Sequence, residues 1–210
     1  GPQGLGVKPY WYVASGQKGS RFGAAVGGAG DLDGDGWDDL VVGAHSYNID
    51  YFQEGIVYLY CGPLAGTTAG WQFPGRSKAT HVGSSVGAAG DVNGDGHDDL
   101  LVGAWRWERG GELFDGAVLL FYGNGARTCD LGSEPVWVFE EWFFEQGEQI
   151  SAGLGSSVAT AGDVNADGWD DVIIGAPGYD GAESVNEGAA FAFYGSDSGL
   201  AAEPGWAFYG

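Results

Sequence analysis

One nine-residue pattern occurs three times in this chain: Asp-x-(Asp/Asn)-x-Asp-Gly-x-x-Asp. The copies are Asp31 to Asp39, Asp91 to Asp99 and Asp163 to Asp171. Side-chain oxygens fall at positions 1, 3, 5 and 9, and position 6 is always Gly. A hard cation needs six to eight oxygens, and alternate positions of a tightly curled segment converge on one point. The predicted ligands are Asp31, Asp33, Asp35 and Asp39; Asp91, Asn93, Asp95 and Asp99; and Asp163, Asn165, Asp167 and Asp171. The backbone carbonyl at position 7 (Trp37, His97 and Trp169) adds one more oxygen to each set. His97 is then expected to turn its side chain to solvent.

An EF-hand loop needs Glu at position 12 and flanking helices. Position 12 is Val42, Val102 or Ile174, within apolar runs that read as strands. The many flexible oxygens favour Ca²⁺ over Mg²⁺, at weak affinity on the order of 10⁻⁴ to 10⁻³ M. The competing reading is a solvated acidic turn, since Asp, Asn and Gly favour turns on their own. The threefold recurrence and the charge density favour the metal. The three segments hold thirteen of the 29 acidic residues, and carboxylates crowded into one turn repel unless a cation lies among them.

These loops sit inside longer repeats. A Gly-rich segment precedes each one (Phe22 to Ala29, Val82 to Ala89, Leu154 to Ala161). An apolar run follows (Leu40 to Val42, Leu100 to Val102, Val172 to Ile174). An aromatic segment then resumes after a variable stretch (Gly55 to Tyr60, Gly116 to Tyr122, Gly188 to Tyr194). A Trp-led segment recurs at Trp11 to Val13, Trp71 to Phe73, Trp137 to Phe139 and Trp206 to Phe208. Four short strands per repeat is the composition of a propeller blade, with the Gly-rich strand innermost. The expected fold is all-β: three four-stranded blades plus one strand of a further blade, a partial propeller or half of an oligomeric one. The units read as 1–10 (an extension, Gly1-Pro2 resembling a protease scar), 11–70, 71–136, 137–205, and 206–210 as a strand of a following or exchanged blade. The absence of Met reads as a processed or excised piece. Glu140 to Gln149 reads as a short helix or an elaborated turn.

At this point the repeats resemble the FG-GAP repeats of integrin α-chain propellers. Phe22-Gly23 matches the "FG" and Gly175-Ala176-Pro177 the "GAP", while Val82 and Leu154 replace the Phe and His45 and Trp105 replace the Pro. The resemblance implies calcium in the loop between a blade's first two strands and an extracellular role in recognition or adhesion. It also implies that the loops between strands two and three lie on the opposite face and help bind ligand. Those loops carry Tyr47, Tyr51, Trp105, Arg106, Trp107 and Arg109, types enriched at binding hot spots. The family's propellers usually have seven blades, and closure takes about four to eight. Three blades therefore belong to a longer propeller or associate with a second copy.

Charge and composition narrow the function further. The formal net charge of −21 disfavours nucleic acid and anionic membrane surfaces, and no apolar run approaches the length of a membrane span. Gly83-Ser84-Ser85-Val86-Gly87 fits the nucleophile-elbow pattern, but the equivalent of Ser85 in the first repeat is Ala25 and no helix follows, so a blade strand is the better reading. The three histidines form no spaced zinc set. Cys61 and Cys129 are either a bridge between neighbouring blades or two free thiols. The expected function is a non-catalytic, calcium-stabilised, extracellular propeller module that binds a protein ligand. The alternatives are a glycan-binding propeller and the non-catalytic propeller of a larger secreted enzyme.

Overall fold

The computed structural model describes residues 10–64, 66–109, 112–113, 116–140, 153–180 and 187–210, with backbone alone described at 108–109 and 112–113. The expectation for Glu140 to Gln149 lies outside the described residues beyond Glu140. Among the described residues there are fourteen strands. They are β1 (Ala25–Gly30), β2 (Asp39–Gly43), β3 (Ile56–Tyr60), β4 (Trp71–Pro74), β5 (Val82–Gly90), β6 (Asp99–Ala104) and β7 (Glu108–Arg109). The remainder are β8 (Glu112–Leu113), β9 (Ala117–Phe121), β10 (Trp137–Glu140), β11 (Ser157–Gly162), β12 (Asp171–Ala176), β13 (Ala189–Phe193) and β14 (Trp206–Tyr209). Apart from the β7–β8 ribbon, they make three antiparallel four-stranded sheets: β1-β2-β3-β4, β5-β6-β9-β10 and β11-β12-β13-β14. The described residues contain no helix. The fold is all-β, with three propeller-type blades that do not close into a ring.

The apolar runs of the second sheet form strands buried on both faces because that sheet has a neighbour on either side, whereas in the third sheet Ile173 is 39% exposed. Side chains alternate across a strand, and the alternation divides the core. Leu100, Val102, Leu119 and Phe121 join Val41, Val57, Leu59, Trp71 and Phe73 between the first and second sheets. Leu101, Val118, Leu120 and Phe139 join Val172, Ile174, Phe191 and Phe193 between the second and third. Glycine is needed where two sheets approach most closely. A Cβ at Gly43 would lie 2.0 Å from the Gly83 carbonyl oxygen, and one at Gly103 would lie 2.1 Å from that of Gly155.

The Trp-led strand completes the sheet before it, across the sequence-repeat boundary. Trp71 pairs opposite Leu59, Trp137 opposite Leu120 and Trp206 opposite Ala192. Trp206–Tyr209 is thus the fourth strand of the third sheet, not a strand of a following blade. The surplus Trp-led segment is Trp11 to Val13, which forms no strand. It packs instead on the outer face of the first sheet, against a cluster that includes Tyr58 and Tyr60.

The same interlock joins successive sheets. The Trp71 indole N–H donates to the Gly132 carbonyl (2.7 Å) and its ring meets Phe121 edge-on (4.9 Å, 70°). Trp137 donates to the Ala201 carbonyl (3.1 Å) and meets Phe193 (5.1 Å, 74°). Trp11, without a sheet of its own, donates to the Gly66 carbonyl (2.6 Å) and meets Tyr60 (5.1 Å, 71°). Edge-to-face pairs add about 0.5–1.5 kcal/mol beyond their burial. A disulfide, Cys61–Cys129, ties the end of β3 to the turn between β9 and β10. This resolves the open cysteine question in favour of a bridge between neighbouring blades.

Candidate metal centre

Each acidic loop joins the first two strands of its sheet, after a register shift at Gly30, Gly90 or Gly162. Position 1 organises the curl. Asp31 accepts the N–H of Asp35 on Oδ1 (3.0 Å) and of Gly36 on Oδ2 (3.0 Å). Asp91 does so for Asp95 and Gly96 (3.0 and 2.9 Å), and Asp163 for Asp167 and Gly168 (3.0 Å each). Position 3 accepts the N–H of position 5, and position 5 accepts the N–H of position 7, in all three loops. Each backbone is therefore folded around its own carboxylates.

In the first loop the side-chain oxygens of Asp31, Asp33 and Asp35 lie within 4.8 Å of one another. This donor set, hard oxygens and mostly carboxylate, fits a divalent cation such as calcium. Burial pushes the Asp33 carboxyl above its usual range, and the charges of Asp35 and Asp31 add to that. In the other loops Asn93 and Asn165 stand at position 3, and their amides donate to Asp95 (3.0 Å) and Asp167 (2.7 Å).

Position 9 is the most deeply buried of the loop carboxylates. Asp39, Asp99 and Asp171 are fully buried. One oxygen of each accepts the N–H of position 2: Leu32 (3.2 Å), Val92 (3.0 Å) and Val164 (2.9 Å). The other accepts the N–H of the glycine two residues beyond the sheet's third strand: Gly62 (3.0 Å), Gly123 (2.9 Å) and Gly195 (3.0 Å). These carboxylates staple the loop to the β3–β4, β9–β10 and β13–β14 turns. Burial pushes Asp39 up to about 6 and Asp99 up to about 7, against the opposing pull of those backbone hydrogen bonds.

This gives a pH prediction for cation-free buffer. A raised folded-state pKa means that the native protein holds the proton more tightly than the unfolded chain. For Asp99 the resulting stability is complete below 3.8 and is lost as pH rises through about 7. His45 and His81 are held below 6.5 chiefly by burial, so their contribution is present above 6.5 and lost as pH falls below it. The melting temperature in EGTA is therefore expected to rise from pH 8 to pH 6.5 and then flatten or fall, as followed by calorimetry. A monotonic decline from pH 8 downward would contradict the assignment.

Sequence reasoning missed two sets of residues. Position 8 links neighbouring loops: Asp98 accepts the N–H of Asp31 (2.9 Å) and Asp170 that of Asp91 (3.0 Å). The recurrent Asp-Asp pair at positions 8 and 9 was the available signal. Glu54 is 1% exposed and its Oε1 accepts the N–H groups of Ile49, Asp50 and Tyr51 (2.5, 2.8 and 3.1 Å), which fixes the first variable loop. The side chain at position 7 is also placed differently from the expectation. His97 is half-buried, set against Gly34 and Gly125 of the adjoining turns, and Trp169 lies against Gly94. Trp37, with no preceding loop beside it, is 59% exposed.

The antiparallel connections put the β2–β3, β6–β9 and β12–β13 loops at the end of the sheets opposite the acidic loops. Tyr47 packs against Tyr58 (6.2 Å), and Tyr51 is exposed beside Ile49 and Phe52. The Trp105 ring stacks on His81 (4.9 Å) with the Arg106 guanidinium over it (5.4 Å). Trp107 is partly buried and donates to Glu140 (2.9 Å). Arg109 lies in β7, and its side chain is outside the described residues. The structure thus leaves Tyr51 and Arg106 available and packs Tyr47 and Trp107. Ser85 donates to the Gly155 carbonyl (2.7 Å) from within β5, as a blade strand requires.

Family models decide the kinship. The FG-GAP-like repeat matches residues 31–102 and the FG-GAP repeat matches 154–193. The chain belongs to the FG-GAP repeat family. This FG-GAP chain is 31% identical over 198 residues to integrin alpha-5 of Xenopus laevis, covering 91% of the chain and 17% of that protein. It is 33% identical over 174 residues to integrin alpha pat-2 of Caenorhabditis elegans, covering 81% of the chain and 14% of that protein. It is 38% identical over 112 residues to the human phosphatidylinositol-glycan-specific phospholipase D, covering 52% of the chain and 13% of that protein. The FG-GAP chain therefore spans a sixth or less of the length of these relatives. No helix among the described residues is long and apolar enough to cross a membrane.

Proposed function

We propose that this FG-GAP chain is an extracellular, non-catalytic propeller module that holds one structural Ca²⁺ in each of its three acidic loops and binds a protein ligand on the opposite face. The observation that carries the reading is the threefold recurrence of one curl, in which backbone amides hold the oxygen-bearing side chains of positions 1, 3 and 5. Asp31, Asp33, Asp35, Asp91, Asn93, Asp95, Asp163, Asn165 and Asp167 supply side-chain oxygens, with the carbonyls of Trp37, His97 and Trp169. Asp39, Asp99 and Asp171 supply further oxygens while stapling the loop from beneath. Weak sites of this kind fill only where calcium is abundant. The Cys61–Cys129 bridge supports an oxidising compartment for the same reason of persistence. The exposed Ile49, Tyr51, Phe52 and Arg106 support a protein ligand.

Calcium bound to the folded state alone stabilises it by mass action, by about 0.6–1.8 kcal/mol per site at roughly 2 mM if Kd is about 10⁻⁴–10⁻³ M. The melting temperature is expected to fall when EGTA replaces calcium at pH 8, with the difference shrinking toward pH 6.5 as carboxylates protonate. Terbium luminescence excited through Trp37 and Trp169 is expected and should be competed by calcium. Identical melting curves with no sensitised luminescence would sink the calcium reading.

A second reading is favoured by the 38% identity to the phospholipase D over 112 residues. In it this chain is the non-catalytic propeller part of a larger secreted enzyme. Under that reading the chain alone is inert toward glycosylphosphatidylinositol substrates, whereas hydrolysis by the purified chain would contradict both readings.

A further inference from the structure

The three acidic loops are joined to one another by hydrogen bonds that a single loop does not need. Asp171 accepts the Gly195 N–H (3.0 Å), and the next residue, Ser196, donates its N–H to the Val92 carbonyl of the second loop (3.1 Å). Val92 in turn donates to Asp99 (3.0 Å). Asp99 accepts the Gly123 N–H (2.9 Å), and Asn124 donates to the Leu32 carbonyl of the first loop (2.9 Å). Leu32 then donates to Asp39 (3.2 Å). Asp171, Asp99 and Asp39 are all fully buried. They form one relay along the array, which enters the first and second loops between their position-1 and position-3 ligands. Being buried, it holds successive loops in register whether or not a cation is bound.

A second set of contacts runs beside the relay, nearer the surface. Asp98 and Asp170 are half-buried, and each follows the position-7 residue and precedes the position-9 carboxylate of its own loop. Each reaches away from that loop to the position-1 N–H of the loop before: Asp98 to Asp31 (2.9 Å) and Asp170 to Asp91 (3.0 Å). The Asp170 N–H also donates to the Asp91 carbonyl (3.2 Å). The approach is close at both boundaries. A Cβ at Gly30 would lie 2.1 Å from Asp98 Oδ2, and one at Gly90 would lie 2.1 Å from Asp170 Oδ2. A loop could hold a cation without these contacts, because positions 1, 3, 5, 7 and 9 already supply its oxygens. Position 8 therefore has a separate task.

Resting on the calcium reading above, we infer that the three cation sites are coupled in series: a divalent cation held by one loop raises the affinity of the loop before it, with Asp98 and Asp170 as the positioning residues that carry the coupling. A second loop ordered by its cation fixes the backbone on both sides of Asp98, which then holds the Asp31 N–H. Asp31 is the residue around which the first loop curls. Part of the ordering needed at the first site is thus made in advance, and pre-organisation by one ligand is positive cooperativity for the next. The coupling is reciprocal, so the first loop returns the same factor to the second. Two dications repel, but salt screens that repulsion beyond about 8 Å, and the Asp98 and Asp170 carboxylates stand between the loops with the opposite sign. The stability that the second site contributes then includes what it lends to its neighbours.

Calcium titration of the full chain, followed by two-dimensional amide NMR at Gly36, Gly96 and Gly168, reads the three loops separately. Asp95→Ala removes a ligand from the second loop only, and it should lower the affinity of the first loop roughly 5-fold or more. Asp98→Ala should lower it by a similar factor. Once Asp98 is alanine, adding Asp95→Ala should change the first-loop affinity by no more than about 2-fold, the limit expected for uncoupled sites. A merely structural role for Asp98 would weaken the first loop but leave its dependence on the second intact, and that result overturns the assignment. Asp167→Ala with Asp170→Ala gives the same cycle one loop along, read at Gly96, so the test survives if one variant does not fold. Three loops that each bind calcium with affinities indifferent to their neighbours would overturn the coupling and leave the calcium reading standing. No calcium-dependent shift at any of the three glycines overturns both.

Discussion

Replacing Asp99 by alanine is expected to destabilise this FG-GAP chain by about 2–6 kcal/mol, with or without calcium. The carboxylate is fully buried and accepts two backbone N–H groups, from Val92 and Gly123. Its removal strands both donors in a region that water does not reach, and a buried unsatisfied group costs about 1–3 kcal/mol. The total approaches the whole stability of a marginal domain, about 5–15 kcal/mol. Asp95→Ala is the informative contrast. Asp95 is exposed, so its loss in EGTA should fall within about 0.5 kcal/mol of wild type. In calcium it should forfeit only the increment from the second site. Urea denaturation in both buffers measures the four values. Equal costs for the two variants in EGTA would mean that position 9 is only another ligand and does not staple the loop.

Loss of the Cys61–Cys129 bridge is expected to have the second-largest effect. The bridge spans a sequence separation of 68. In the chain-entropy model, closing a loop of that length in the unfolded state is worth about 4 kcal/mol, and measured values commonly run about 2–4. For a domain of this size, that corresponds to a drop of roughly 5–15 °C in melting temperature for the double alanine variant. The effect should also be uneven along the array. The bridge ties the first sheet to the second, and the second and third sheets have only packing and hydrogen bonds between them. In the reduced protein, amide exchange should accelerate most in β1 to β4. A melting curve unchanged by reduction would show that the two sheets are held by their aromatic interlock alone.

The acidic pattern, the fourfold Trp and the apolar runs made the strands and loops legible without coordinates, because strand pleating and turn chemistry act over a few residues. Positions 1, 3 and 5 were readable as one curl for that reason, and so was the all-β class. Position 9 was legible as an acid but not as a staple. Its second partner, Gly62, Gly123 or Gly195, lies 23 or 24 residues away on another turn. Position 8 was not legible at all, since Asp98 reaches a backbone amide 67 residues earlier and Asp170 one 79 residues earlier. The sequence showed four Trp-led segments for three repeats and was read with the surplus at Trp206, whereas the structure places it at Trp11.

Local residue chemistry thus determined what each blade is made of: its strands, its Gly-lined inner edge and its oxygen-bearing loop. Only the tertiary structure decided how blades join: which sheet each Trp strand completes, which carbonyl each indole reaches, and that Cys61 meets Cys129. The physical reason is range. Periodicity and turn preference are set by neighbours within a few residues. The joints between sheets depend on side chains some 60 to 80 positions apart, which the chain brings together only once the sheets have stacked.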